Sequence, residues 1–144
     1  MITTTGTGRQ QAVRVDGGPP IAVLDHRKLS YTLNGKDYNV RRRGILSLVY
    51  ELWRGDEMLA CAQRGGLRER FTVTSAGKEW ALDKEGIVGH RYGLFAGDQR
   101  VGEIKWAGRA FHMDVVADLP NDMPLETQVF LTWLALWRFG DTSD

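Results

Sequence analysis

The feature that most constrains the fold is a strongly apolar segment close to the C-terminus of this 144-residue chain. From Val129 to Phe139 only Thr132 and Arg138 are polar, so a helix over this segment is apolar on nearly every side. Such a helix has to be surrounded by other elements, because packing against a single surface would leave much of it in water.

The start of this helix is well defined by the residues that precede the apolar segment. Asp122 or Met123 can cap the helix, Pro124 suits its first turn, and Glu126 lies where the helix dipole favours negative charge. We therefore predict a helix over residues 123–139. These eleven residues, interrupted by Arg138, are fewer than the roughly 20 that a membrane-spanning helix needs, so the segment is not expected to be a membrane anchor.

Turn dipeptides upstream of the helix predict a series of β-hairpins. Asn34-Gly35 is the strongest of these signals, and a two-residue turn there places Tyr31 opposite Tyr38 and Leu29 opposite Val40. Four more turns are predicted in the same way from the side chains that they bring together. The turns and their expected pairs are Gly55-Asp56 (Leu52 with Leu59, Tyr50 with Cys61, Trp53 with Met58, Arg54 with Glu57), Ala76-Gly77 (Val73 with Trp80, Phe71 with Leu82), Gly97-Asp98 (Leu94 with Val101, and a bulge near Gly102) and Gly108-Arg109 (Trp106 with Phe111, Ile104 with Met113).

Two further segments carry strand patterns. The stretch from Phe111 to Leu119 alternates almost strictly between apolar and polar residues, which predicts a strand with one buried and one acidic face. The segment from Ile45 to Trp53 also fits a helical stripe, but the Gly55-Asp56 hairpin favours a strand. Nine or ten strands are recognisable in total.

These elements predict a mainly β protein, an antiparallel β-barrel of about nine to twelve strands wrapped around the hydrophobic C-terminal helix. A closed barrel covers the helix and leaves no sheet edge exposed. We expect a flexible lead-in over residues 1–18, one domain over residues 19–140 and a tail over residues 141–144. The expected core includes Trp106, Phe111, Phe130, Trp133, Leu134 and Trp137.

The order of hairpins and helix resembles the tubby C-terminal-like superfamily, and in particular bacterial relatives of LURP-one-related proteins. The likeness extends over residues 29–139 and includes the sequence from Asp118 to Arg138 that leads into and forms the helix. The resemblance implies a twelve-stranded barrel around the C-terminal helix, and binding of phosphoinositides through basic strand positions.

Basic residues between positions 41 and 70 supply the best binding hypothesis. This stretch has seven positive and four negative residues, although the whole chain has 19 Lys and Arg against 18 Asp and Glu. Residues that alternate along a strand share a face, so guanidinium groups on two strands could meet one anionic head group. The alternative is that the charges discourage aggregation at a solvated sheet edge. The candidate ligand-binding residues are Arg41, Arg42, Arg43, Arg68 and Arg70.

Other chemistries have little support in the sequence. Its histidines, at positions 26, 90 and 112, lack metal-site spacing, and the lone Cys61 has no neighbouring base to activate it. No phosphate-binding loop is recognisable, and the acidic residues from Asp114 to Glu126 lack the spacing of a calcium loop. We expect no cofactor and no metal. The five tryptophans are better explained by core packing than by carbohydrate stacking.

The sequence thus favours a noncatalytic binding module that contacts anionic phospholipid head groups or phosphate. The alternatives are a hollow calycin-like barrel that carries a small apolar ligand, and a protein-interaction subunit. The near balance of charge gives no reason to expect a nucleic-acid partner, and the oligomeric state is left open. One unpaired cysteine and no apolar leader favour a cytoplasmic protein, with peripheral attachment to a membrane surface as one possibility.

Overall fold

The computed structural model of the chain describes residues 1–6, 10–25, 27–44, 48–86, 90–107 and 114–142, with helix side chains described as far as residue 139. Within this part the chain forms twelve strands and one helix, α1 (Leu125–Thr142). The strands are β1 (Ile2–Thr5), β2 (Gln10–Val15), β3 (Pro20–Asp25), β4 (Ser30–Leu33), β5 (Lys36–Arg43), β6 (Leu48–Arg54), β7 (Glu57–Arg64), β8 (Arg70–Ser75), β9 (Lys78–Lys84), β10 (Arg91–Ala96), β11 (Gln99–Trp106) and β12 (Val115–Asp118).

All strands pair antiparallel with their neighbours in sequence, and β1 also pairs with β12. This last pairing closes the sheet into a barrel, as predicted. Closure leaves every strand with a partner on both sides, so that the barrel has no free sheet edge.

Helix α1 fills the interior of the barrel. Trp133 has no exposed surface, and its indole Nε1 donates a hydrogen bond of 2.9 Å to the carbonyl oxygen of Lys28, just before β4. From other sides, Tyr50 of β6 packs edge-on against Trp133 at 6.1 Å, and Tyr92 of β10 stacks on Phe139 at 5.5 Å. Strands from different sides of the barrel therefore contact one helix. A hollow ligand-carrying barrel needs an open interior, and this interior is occupied.

The helix begins slightly later than predicted and continues further. The carbonyl oxygen of Pro124 accepts hydrogen bonds from the amides of Thr127 and Gln128, each at 3.0 Å, so Pro124 precedes the first helical residue. Asp122 does not cap the helix, because its carboxylate forms an ion pair of 2.7 Å with Lys78 on the neighbouring hairpin. The helix extends to residue 142 instead of ending at residue 139.

The prediction of a flexible lead-in over residues 1–18 is wrong, because β1 and β2 lie within it. Ile2 and Val13 are buried in the core, and the hydroxyl of Thr4 accepts a hydrogen bond of 2.9 Å from the amide of Val115. The polar composition of this segment concealed an alternation in which Ile2, Thr4, Gln11 and Val13 all point inward. Without β1, strand β12 would end the sheet with an unpaired edge.

The predicted hairpin registers are confirmed where neither strand of the hairpin contains a bulge. Tyr31 pairs with Tyr38 across Asn34-Gly35, and both turn residues have positive φ, 49° and 79°, as a type I′ turn requires. Across Ala76-Gly77 the predicted pairs of Val73 with Trp80 and of Phe71 with Leu82 are also present.

At Gly55-Asp56 the predicted register is correct only beside the turn. Trp53 pairs with Met58, but a bulge at Leu59 then pairs Leu52 with Ala60 and Tyr50 with Ala62, instead of Leu59 and Cys61. The bulge turns the two small alanines inward, where the aromatic rings of Tyr50 and Trp133 occupy the space. Packing around the helix thus decides a register that turn chemistry alone would set differently.

The bulge expected near Gly102 is present, and it pairs Leu94 with Gly102 instead of Val101. Glycine is required there, since a Cβ atom would collide with the carbonyl oxygen of Asp118 on β12.

The register predicted from a turn at Gly108-Arg109 is wrong, because Trp106 pairs with Val115 and Ile104 pairs with Ala117. The turn residues themselves, and the expected partners Phe111 and Met113, lie outside the described residues.

The expected core residues differ in how deeply they are buried. Phe130, Trp133 and Leu134 are buried, and Trp137 is partly buried against the core. Trp106 is 38% exposed at the end of β11, so its placement in the core is wrong, and Phe111 lies outside the described residues. The aromatic residues that hold the core together come mainly from the helix and from the strand faces toward it.

The two ends of the barrel differ in their connections. The tight-turn end has the two-residue turns that follow β4, β6, β8 and β10, together with the β2–β3 turn and the start of α1. The wide-loop end has the connections of four to eight residues that follow the odd-numbered strands, and α1 ends there.

Replacement of Trp133 by alanine tests whether the helix is the centre of the core. We expect Trp133→Ala to lower the free energy of unfolding by about 3 to 5 kcal/mol, because it leaves a large cavity and removes the hydrogen bond to Lys28. Urea denaturation followed by circular dichroism measures the change. Trp106→Ala is the matched control, and a comparable loss in that variant would contradict the assigned packing.

Candidate anion-binding end of the barrel

Charged residues are unevenly distributed between the two ends of the barrel. Among the described side chains, the wide-loop end carries twelve Arg and Lys residues against six Asp and Glu residues. The basic residues are Arg27, Lys28, Arg41, Arg42, Arg43, Arg64, Arg68, Arg70, Lys84, Arg91, Lys105 and Arg138, and the acidic residues are Asp25, Glu51, Glu69, Asp83, Glu85 and Asp114.

The tight-turn end has the opposite balance. Five basic residues, Arg14, Lys36, Arg54, Lys78 and Arg100, stand against nine acidic residues, namely Asp16, Asp37, Asp56, Glu57, Glu79, Asp98, Asp118, Asp122 and Glu126. A chain with a net charge of only +1 is thus strongly polarised along the barrel axis. The arrangement keeps like charges close to one another, which costs stability and creates a positive potential at the wide-loop end.

The three consecutive arginines lie at the end of β5. Arg41 and Arg43 face outward, as predicted, and Arg43 forms an ion pair of 2.7 Å with Glu51 of β6. The guanidinium of Arg41 lies 3.9 Å from the ring centroid of Trp53, and the indole nitrogen of Trp53 donates to the same Glu51. Strand β4 pairs with β5 only as far as Asn39, so Arg41, Arg42 and Arg43 continue beyond it and are paired on the β6 side alone.

Arg68 and Arg70 converge on one carboxylate. Their guanidinium groups donate hydrogen bonds of 2.7 and 3.0 Å to Oδ2 of Asp83, whose side chain is only 10% exposed. Two positive charges share one negative charge, so this group retains a net positive charge and a row of outward donors. The two arginines remain well exposed, at 72% and 44%.

The structure places both groups of predicted arginines at the same end but does not bring them to one point. Strands β6 and β7 separate β5 from β8, and three strand spacings correspond to about 14 Å. Arg43 and Arg70 are also directed to different carboxylates, Glu51 and Asp83. The two groups therefore form one broad basic surface, and their convergence on a single head group stays a prediction.

A second set of basic residues surrounds the mouth of the barrel, on the inward faces of the strand ends. Arg42 follows the buried Tyr38 and Val40 on β5, and Lys84 follows the buried Trp80 and Leu82 on β9. Neither side chain has a carboxylate within 4 Å among the described residues. Arg42 lies over the ring of Tyr50, with its guanidinium carbon 6.0 Å from the centroid.

Glu69 is the carboxylate that links helix α1 to the strands at the wide-loop end. It accepts two hydrogen bonds from Arg138 of α1, at 2.8 and 2.9 Å, one from Arg64 at 3.1 Å and one from the hydroxyl of Tyr92 at 3.2 Å. Helix α1, β7 and β10 thus meet at one acidic side chain. Arg138 is only 11% exposed, so this pair lies in the protein and resists screening.

The ionisation of this group follows from its contacts. Burial acts to raise the pKa of Glu69, but the hydrogen bonds and charge of Arg138 outweigh it, and the pKa lies below the usual 4.5. Burial, followed by the charge of Glu69, raises the pKa of Tyr92, which therefore stays protonated and donates its hydrogen bond. The group is a fixed arrangement of one anion and two cations at neutral pH.

Several residues of this end were not singled out from the sequence. Arg64 was counted in the basic stretch but not chosen as a binding residue, and Lys84 was not distinguished from other surface charges. Glu69 lies between Arg68 and Arg70 and was not noticed, and Arg138 was noted only as a polar interruption of the helix. The continuation of the inward pattern of β9 to Lys84 is the one sequence signal that could have found it.

The one histidine among the described residues lies at the same end of the barrel. His90 lies between the rings of Trp106 and Phe139, and burial together with Lys84 lowers its pKa. His26 and His112 lie outside the described residues. In the part of the chain that the structure describes, no group of three His, Cys, Asp or Glu side chains is arranged to hold a metal ion. Of the described residues, none belongs to a helix with the length and apolarity needed to cross a membrane.

Three comparisons with known proteins give the same result. A scan against protein-family models, a search of curated proteins and a search of solved structures all find no match. The resemblance to the tubby C-terminal-like superfamily accordingly stays a prediction, while the barrel with its central helix stands on the structure itself.

Glu69→Gln tests the tie between the helix and the mouth. At pH 7 we expect the free energy of unfolding to fall by about 2 to 4 kcal/mol, because Arg138 loses its charged partner in a poorly solvated position. Since the folded state lowers the pKa of Glu69, its stabilising effect is present above about pH 4.5 and is lost as the pH falls through the folded value. The difference between the two proteins, measured by urea denaturation from pH 7 to pH 3, should therefore shrink in acid.

Glu57→Gln is the control for this measurement. Glu57 is 67% exposed and lies 3.9 Å from Arg54, so we expect a change of less than about 0.5 kcal/mol at any pH. A difference for Glu69→Gln that does not depend on pH would mean that the carboxylate charge is not what stabilises the mouth.

Proposed function

We propose that this protein is a noncatalytic binding module whose wide-loop end binds a phosphate-bearing anion. One observation carries the proposal: five basic side chains at this end, Arg27, Lys28, Arg41, Arg42 and Lys84, have no carboxylate within 4 Å among the described residues. Concentrated cations of this kind cost folding stability unless they meet an anionic partner.

The chemistry of the surface favours phosphate over a carboxylate ligand alone. Guanidinium groups offer two parallel donors that match phosphate oxygens, and lysine adds a mobile point charge. Arg41 is held by its stacking on Trp53, and the Arg68 and Arg70 pair is held by Asp83, so part of the surface is preorganised. Lipid head groups and soluble phosphates share this chemistry.

The proposal agrees with what the family resemblance implies. A barrel of twelve strands around a C-terminal helix is the architecture expected of a tubby C-terminal-like protein, and phosphoinositide binding is the property that this resemblance would bring. We propose membership of that superfamily, and a cytoplasmic, peripheral membrane location, on the same grounds. A role as a protein-interaction subunit remains the alternative.

The double substitution Arg42→Gln with Lys84→Gln tests the proposal. Binding is measured by flotation with vesicles of phosphatidylcholine and phosphatidylserine at 70:30, and by calorimetry with inositol hexakisphosphate as the soluble phosphate. We expect each lost charge to weaken vesicle binding about fivefold, because each basic residue near an anionic surface contributes about 1 kcal/mol. The two arms distinguish a lipid head group from a free phosphate as the source.

Lys36→Gln at the tight-turn end is the matched control, and it should bind as the parent does. Binding should also weaken as sodium chloride is raised, since salt screens exposed charges. The proposal is wrong if the double variant binds both probes as tightly as the parent, or if the Lys36 variant loses as much.

A further inference from the structure

One apolar side chain stands out at the basic end of the barrel. Leu67, in the connection between β7 and β8, is fully exposed, at 104% of the reference area. The residues around it are fixed to the barrel: Arg64 and Glu69 form an ion pair, and Arg68 binds Asp83. Leu67 is thus held out into solvent at the tip of an anchored connection.

This leucine buries none of its side chain against the folded chain. Single exposed apolar residues are common on protein surfaces, so exposure alone names no partner. Leu67 follows Gly65 and Gly66, and Gly66 has a φ of 77°. What distinguishes Leu67 is its place in a connection whose flanking arginines, Arg64 and Arg68, are held by ion pairs at the basic end of the barrel.

Other exposed residues at the same end of the barrel indicate which partner fits. Trp106 at the end of β11 and Leu29 before β4 are also exposed at the wide-loop end, at 38% and 39%. A fully exposed aliphatic tip, a partly exposed tryptophan and an excess of arginine and lysine are the combination that favours the interface of an anionic bilayer.

We propose that the wide-loop end docks on an anionic lipid bilayer and that Leu67 inserts below the head groups. The inference rests on the proposed function for its electrostatic part and goes beyond it by assigning an inserted apolar side chain to this end. Soluble phosphates and nucleic acids can use the basic residues, but they leave Leu67 in water. Only a partner with an apolar layer beneath its phosphates uses both features of this end.

Leu67→Ser tests the insertion. With vesicles of phosphatidylcholine and phosphatidylserine at 70:30 we expect binding to weaken about tenfold, because serine lacks the leucine side chain that is buried in the apolar layer when the parent binds. Binding of inositol hexakisphosphate should be unchanged, since the arginines and lysines are retained. Met58→Ser is the matched control, because Met58 is 48% exposed at the opposite end of the barrel and should not affect vesicle binding.

A second measurement reports depth directly. In the variants Leu67→Trp and Met58→Trp, vesicles with brominated acyl chains should quench the added fluorescence of the first and not that of the second. Equal quenching of both, or a Leu67→Ser variant that binds vesicles like the parent, would overturn the insertion.

The parent protein separates this inference from the proposed function. A parent that binds inositol hexakisphosphate but not the vesicles overturns the bilayer as partner and leaves phosphate binding intact. A parent that binds neither probe overturns both.

Discussion

Burial of the C-terminal helix by the closed barrel is the interaction on which the rest of the structure depends. The helix presents large apolar side chains in all directions, and only a wall that surrounds it keeps them from water. The wall in turn needs the helix, since the inward side chains of twelve strands would otherwise line an empty cavity. The N-terminal strand and the C-terminal helix, at opposite ends of the chain, therefore contribute to one buried core.

The way in which the helix ends explains the character of the wide-loop end. Arg138 brings a charge to the mouth of the barrel, and Glu69 meets it together with Arg64 and Tyr92. Glu69 thereby balances the charge of Arg138 near the end of the apolar interior. The remaining cations at the mouth and on the outer face, among them Arg42 and Lys84, are not needed for it. Arg64 and Arg138 therefore have a structural role, whereas Arg42 and Lys84 are among the residues for which we propose a binding role.

Sequence reasoning succeeded where local chemistry and tertiary packing agree. The turns at Asn34-Gly35 and Ala76-Gly77 have the residues that their backbone conformation needs, and their registers follow directly. It failed where packing around the helix imposed an irregularity, as in the bulge at Leu59 that brings Ala60 and Ala62 inward. It also failed for β1 and β2, because threonine and glutamine on inward positions do not look apolar in a sequence window.

The candidate surface shows the same division. Arg41, Arg43, Arg68 and Arg70 were found from their clustering and alternation, but Glu51 and Asp83, which hold three of them, become their partners only through strand pairing. Lys84, Arg138 and Leu67 lie far apart in the chain, so the sequence did not predict that all three lie at the wide-loop end of the barrel.

The sequence alone determined that a hydrophobic helix would be enclosed by antiparallel strands, because composition and periodicity dictate what must leave water. Only the tertiary structure decided which strands close the barrel and which charges collect at one end, because those outcomes depend on long-range register and on the direction in which the helix runs through the interior.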